Sequence, residues 1–239
     1  MVYGAEVASW KNPGTLAISA LTERPNSMRA HQDAASFFAN LGQFEDSVKI
    51  LNKIEERWPS TGAYAQYLML KCFDGNTAIP QDTDLLQRFK QGSFDRGTLT
   101  AMTDVYTQKK QGNCQYLSWE KYLEYTEALF NNPAFGSQID DFLILQAYTY
   151  TALKQPVKAA VALDRLPNEA SSVDFLLYKA NFFAVAKNID KSLEIIDFIK
   201  SRFGNSIKYQ LTSKKMVDSM EEMLKLHKSK QHNNWASFF

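Results

Sequence analysis

The chain reads as an all-α protein: a right-handed superhelical solenoid of helix-turn-helix repeats. Three observations predict it. Pro25 and Pro59 bracket one complete pair of amphipathic helices. Their spacing, and that of two later consecutive units, falls in the range that marks helical repeat arrays. No segment alternates apolar and polar residues as a half-buried strand would, and the 10 glycines and 7 prolines fall mostly between helical patterns.

Element by element, residues 2–10 are short and mixed, and Trp10-Lys11-Asn12 leads into Pro13. Helical patterns are expected over about 13–22, 28–40, 44–57 and 62–74. Asp74 to Pro80 is a loop by its turn residues. Asp82, or Thr83 with Asp84, is the expected cap of a short helix through Lys90, which Gly92-Ser93-Phe94 ends. A helix over about 96–110 follows, then a turn at Gln111-Gly112-Asn113-Cys114. From Ser118, apolar residues at Trp119, Tyr122, Leu123, Tyr125 and Leu129 recur at near-helical spacing until Asn131-Asn132-Pro133. Two repeat units come next, one starting near Asp140 and the other near Val173. A last long helix spans roughly 206–229, with Val217, Met220, Leu224 and His227 along one face. The expected total is about twelve helices. Residues 1–12 form a junction segment, 13–205 the repeat array, and 206–239 a capping helix and tail whose aromatics are Trp235, Phe238 and Phe239.

Composition narrows the function classes. Apolar residues make up 45% and charged residues 22%, as in a folded protein. A net charge of +1 gives no field to hold nucleic acid. No apolar run approaches the ~20 residues needed to span a bilayer, and no signal-peptide pattern opens the chain. Between Lys200 and Lys230 eight basic residues face three acidic ones. That suits a solvated terminal cap, with acidic lipid headgroups as the sharper alternative. Cys72 and Cys114 form no metal or redox motif and are read as unrelated thiols, one on a helix and one in a turn. A disulfide between them stays open for an oxidising compartment, because spacing supplies no distance.

No catalytic constellation emerges, and no cofactor or metal site is expected. The three histidines, His31, His227 and His232, have no carboxylate or cysteine at ligand spacing. There is no phosphate loop, no HExxH and no GxSxG. Asp140 and Asp141 are adjacent, so they point about 100° apart on a helix, and they stand where a helix start favours negative charge anyway.

The first unit can be followed position by position from Met28. His31, Ala34, Ala35 and Phe38 lie on its first helix, Gly42 in the turn, Phe44 after it, then Ser47, Leu51 and Ile54, and Trp58-Pro59 at the end. This pattern resembles the tetratricopeptide repeat (TPR), with His31 for the usual Trp and small Ala35 and Ser47 at the tightest contacts. Ala147, Tyr150, Ala159, Leu163 and Leu166 fit it again, as do Ala180, Phe183, Ser192, Leu193, Ile196 and Ile199. Between these lie two looser hairpins, one starting near Gly62 and one pairing 96–110 with 118–131. The resemblance implies a concave groove lined by the first helix of each unit at repeat positions 2, 5, 9 and 12. These are Arg29, Gln32, Ser36 and Ala39, then Ala63, Gln66, Leu70 and Phe73. Later units supply Asp141, Ile144, Tyr148 and Thr151, then Asp174, Leu177, Asn181 and Ala184. The binding candidates are Arg29, Gln32, Ser36, Gln66, Tyr148 and Asn181. The mixture lacks the basic clamp some TPR domains use for acidic C-termini, and suits a protein or peptide partner. A groove filled by the chain's own C-terminal helix is the alternative.

Trp10-Lys11-Asn12-Pro13-Gly14-Thr15-Leu16 and Arg24-Pro25-Asn26-Ser27-Met28-Arg29-Ala30 are similar to the join between membrane region and soluble TPR tail in certain polytopic proteins of the lipid-linked-sugar glycosyltransferase kind. Gly112-Asn113-Cys114-Gln115-Tyr116-Leu117 and Leu129-Phe130-Asn131-Asn132-Pro133 are similar to a segment of bacterial tails of this type. That resemblance implies a scaffold on the periplasmic side of the inner membrane, part of a larger protein, holding a partner or a glycan-bearing substrate beside a membrane-embedded site. The alternative is a free-standing cytoplasmic TPR adaptor that binds a peptide.

Overall fold

A computed structural model describes residues 13–58, 60–75 and 80–236, with side chains over 14–58, 60–75 and 80–229. The described residues form thirteen α-helices, two short 3-10 turns and no strand. They fall into two compact units, Met1–Gly136 and Ser137–Phe239. The junction segment 1–12, Pro59, residues 76–79 and the tail aromatics Phe238 and Phe239 lie outside the described residues, as do the side chains of His232 and Trp235.

The first unit holds α1 (Pro13–Glu23), α2 (Met28–Asn40), α3 (Phe44–Arg57), α4 (Thr61–Asp74), α5 (Asp82–Gln91), α6 (Arg96–Lys110) and α7 (Trp119–Phe130). Ser27, Ser60, Asp95 and Ser118 accept backbone N–H bonds at the starts of α2, α4, α6 and α7. Such caps contribute ~1 kcal/mol each. Helix α5 departs from expectation: Gln81 stands at its start with no side-chain bond. Asp82 is engaged elsewhere, accepting from Lys121 at 2.7 Å and from the Tyr125 hydroxyl.

Hairpin α2–α3 closes over Ala34, Ala35, Leu51 and Ile54, all buried, with Ala63 and Tyr67 of α4 sealing the same core. Ser47 Oγ donates to the Ala35 carbonyl at 2.8 Å, so the small pair brings the backbones together and satisfies the serine. His31 is buried, donates from Nδ1 to the Ser27 carbonyl at 2.9 Å and meets Trp58 edge-on at 5.4 Å. It fills a packing position.

The expected hairpins α4–α5 and α6–α7 give way to a closer pairing across them: α4 lies along α6, and α5 along α7. α4 and α6 run in the same direction. Ser60 makes a parallel bridge to Ser93 at one end, Thr61 Oγ1 lies 2.8 Å from Thr98 Oγ1 just inside, and a Cys72–Cys114 disulfide joins the far ends. The thiols expected to be unrelated are therefore bonded, and both are buried. Close approach requires glycine here: a methyl on Gly62 would overlap the Asp95 carboxylate. Helix α7 still touches α6, but through rings: Tyr122 donates to the Met102 carbonyl at 2.9 Å, and Tyr106 packs on Trp119 and Tyr122.

The second unit holds α8 (Ile139–Ala152), α9 (Pro156–Asp164), α10 (Val173–Val185), α11 (Ile189–Phe203), α12 (Ile207–Thr212) and α13 (Lys214–Ala236). Here neighbours in sequence pack as neighbours: α8 on α9, α9 on α10, α10 on α11. Ser192 Oγ donates to the Ala180 carbonyl at 2.7 Å, repeating in this unit the bond of Ser47 to Ala35. Lys179, only 2% exposed, ends α9 by donating to the Leu166 carbonyl and pairing with Asp164 at 2.8 Å. The last long helix is broken. A short α12 ends at Ser213, whose N–H donates to the Tyr209 carbonyl, and α13 then packs Val217 and Leu224 inward, with Met220 half-buried and His227 exposed.

Four helices end in one type of turn. Gly42, Gly112, Lys154 and Lys187 all have positive φ, between 58° and 88°. In each case the following N–H reaches back five residues: Gln43 to Phe38, Asn113 to Gln108, Gln155 to Tyr150, Asn188 to Phe183. This left-handed cap satisfies helix carbonyls that would otherwise be orphaned.

Candidate binding cleft

In the first unit, α2, α4 and α6 enclose a cleft of about 450 Å3. Helix α2 supplies Arg29, Gln32 and Ser36, helix α4 supplies Gln66 and Met69, and α6 with its cap supplies Asp95, Arg96 and Asp104. Four of the six predicted binding residues, Arg29, Gln32, Ser36 and Gln66, thus meet in one place.

The near wall is tied by Asp95. It is 5% exposed and accepts from Gly97 N–H at 2.8 Å, from Ser60 Oγ at 2.9 Å and from Gln32 Nε2. Gln32 therefore braces α2 against the start of α6, leaving its amide oxygen and second N–H for a ligand. Gln66 Nε2 donates to Ser36 Oγ at 3.3 Å. Its Oε1 has no hydrogen-bond partner, although the residue is only 8% exposed. Oε1 is itself sealed from solvent, so a ligand meets it only when the side chain turns, a turn favoured by the ~1–3 kcal/mol cost of an unmet buried acceptor. Arg29 pairs at the rim with Asp33 at 3.8 Å, an exposed pair of little energetic weight. Asp104 is exposed, and partial loss of water raises its carboxyl above the ordinary aspartate value.

Other groove positions fare differently. Ala63 and Leu70 are buried in the core, and Phe73 is exposed outside the cleft lining. Asp95, Arg96 and Asp104 went unforeseen, because segment 96–131 carries helical periodicity without a repeat frame in which to number it. The one local signal was Asp95 before Arg96-Gly97, a cap pattern.

The second unit has a groove of its own, also about 450 Å3, between α10 and α13. Asn181 lies in it with Asp174 and Leu177, opposite Met216, Met220 and Met223. Tyr148 is not in its lining. It packs edge-on against Tyr178 at 6.3 Å and Phe182 at 5.4 Å, so it supports the groove's wall. No group of three potential metal-ligating side chains occurs among the described residues, and no described helix is long and apolar enough to cross a membrane.

Comparison with known protein families, with curated proteins and with solved structures returns no match.

Proposed function

We propose that the chain is a protein-interaction domain of TPR type whose working surface is the α2–α4–α6 cleft. The observation that carries this is the convergence of Arg29, Gln32, Ser36 and Gln66 on one cleft. Those four follow from repeat positions alone. The shared left-handed turns and the twin Ser47–Ala35 and Ser192–Ala180 bonds support the repeat reading. The ligand is a polypeptide segment held by side chains. The buried Cys72–Cys114 bond favours an oxidising compartment over a reducing cytoplasm, which supports the periplasmic reading. Attachment to a membrane glycosyltransferase rests on the junction-like motifs alone.

The test is photo-crosslinking in cells from the natural full-length gene. Probes at Arg29 and Ser36 in the cleft are expected to trap one common partner that probes at Lys53 and Glu56, exposed on α3, do not. Equal trapping from both faces would remove the cleft from the proposal.

A further inference from the structure

The cleft's charges do not cancel evenly. Arg29 is matched by Asp33, and Asp95 has three donors of its own. Asp104 is exposed on α6, forms no hydrogen bond or ion pair with any described residue, and has its carboxyl raised only by partial loss of water. Arg96 stands two turns earlier on α6, about 12 Å away along the axis. No ion pair joins the two, so the carboxylate keeps no cationic partner among the described residues.

A second acceptor lies at the same level. The ties Thr61–Thr98 and Cys72–Cys114 set how α4 and α6 run past each other. Gln66 and Asp104 each lie between those ties, and both line the cleft. Gln66 Oε1 is the acceptor left unpartnered there. Met69, one turn on from Gln66, and Ala101, one turn before Asp104, give the same stretch an apolar wall.

A solvent-facing carboxylate without a protein donor, beside a buried unmet amide oxygen and apolar surface, in a cleft where three aspartates face two arginines, fits one kind of group: a cation on an aliphatic stem. We propose that a lysine or arginine side chain of the partner polypeptide anchors in this cleft, its head on Asp104 and its stem against Met69 and Ala101, with the Gln66 amide turning to offer its unmet oxygen. The proposal rests on the reading of the cleft as a peptide site. Long basic side chains suit it because they lay their methylenes on apolar surface while the charge finds an acceptor.

The experiment is selection from a randomised octapeptide library on the immobilised full chain, followed by affinity measurement on the selected peptides. Selected peptides are expected to share a lysine or arginine. Replacing it by glutamine, or making Asp104→Asn in the protein, is expected to weaken binding about tenfold. Asp104→Lys is expected to select acidic peptides instead. Thr100→Trp, at an exposed cleft position, reports on the site itself by blocking it. Peptides blocked by Thr100→Trp but lacking a basic residue, or indifferent to its replacement, would overturn the cation anchor while leaving the cleft. Peptides unaffected by Thr100→Trp, or no selected peptides, would overturn both. The lysine-to-glutamine peptides decide the matter even if a protein variant misfolds.

Discussion

Two hairpins far apart in the chain, α2–α3 and α10–α11, are closed in the same way, while the pair α4–α6 is closed in another. In the hairpins a serine twelve residues downstream donates to an alanine carbonyl, and a left-handed residue joins the helices. Nothing but adjacent sequence is needed. Between α4 and α6 the chain makes an excursion through α5, and closure falls to long-range ties: a glycine at the contact, the Asp95 network, and a disulfide. A short-range hairpin closes with side chains one methyl or hydroxyl in size. A helix pair separated by another helix must offset a larger loop-closure entropy, and here a covalent bond does so.

The largest effect expected from this contrast is in the disulfide. Replacing Cys72 and Cys114 by alanine should destabilise the first unit by about 4 kcal/mol, from the loop-closure entropy of a ring of this size, and leave the second unit unmoved. Denaturant unfolding with and without reductant measures it; an unchanged midpoint would mean that the noncovalent ties suffice.

Next come the paired alanines. Ala35→Trp and Ala180→Trp each force a large ring between backbones already bridged by a serine, at ~1–3 kcal/mol or more. Each loss should be confined to its own unit and similar in size. Thermal melts in which only one responds would end the equivalence of the two hairpins.

The smallest concerns α13, which is held to α11 by charge. Lys200 bonds Glu221 and lies 2.9 Å from Asp218. Hydrogen bonds from Lys200 and then Lys225 hold the Glu221 carboxyl below the ordinary glutamate value. Because its folded value is lowered, its contribution is fully present above about pH 4.3 and is lost as pH falls through the folded value. Being partly exposed, the cluster is worth under ~1 kcal/mol, falling further with salt. Lys200→Met should reduce the second unit's sensitivity to acid, read from melts near neutral pH and in acid. A Lys200→Met profile matching the parent would discharge Glu221 from that role.

Much of this was legible beforehand where local rules suffice. Helices α2 and α3 match the expected 28–40 and 44–57 because Ser27, Gly42 and the apolar ridge of Leu51 and Ile54 act within a few residues. The pairing of α4 with α6 was not legible. It depends on Gly62 meeting Asp95 and on Cys72 meeting Cys114, contacts between distant parts of the chain that no periodicity announces. The cleft shows the same division: α2 and α4 residues followed from repeat positions, whereas Asp104 came from the helix whose partner was misassigned. The break at Ser213 was missed because Leu211 and Ile207, both exposed, resemble a continuing amphipathic pattern.

The Cys72–Cys114 bond also changes what a pulling force would encounter. Tension applied to the ends of the chain passes from one sulfur to the other and bypasses everything between, including α5 and α6. A span of 42 residues, on the order of 140 Å of extended chain, stays hidden from stretching until the bond is reduced. The Gln66 and Asp104 acceptors both ride inside or beside that shielded span. A tug on the ends would therefore reach α2, across the cleft, before it could separate α4 from α6.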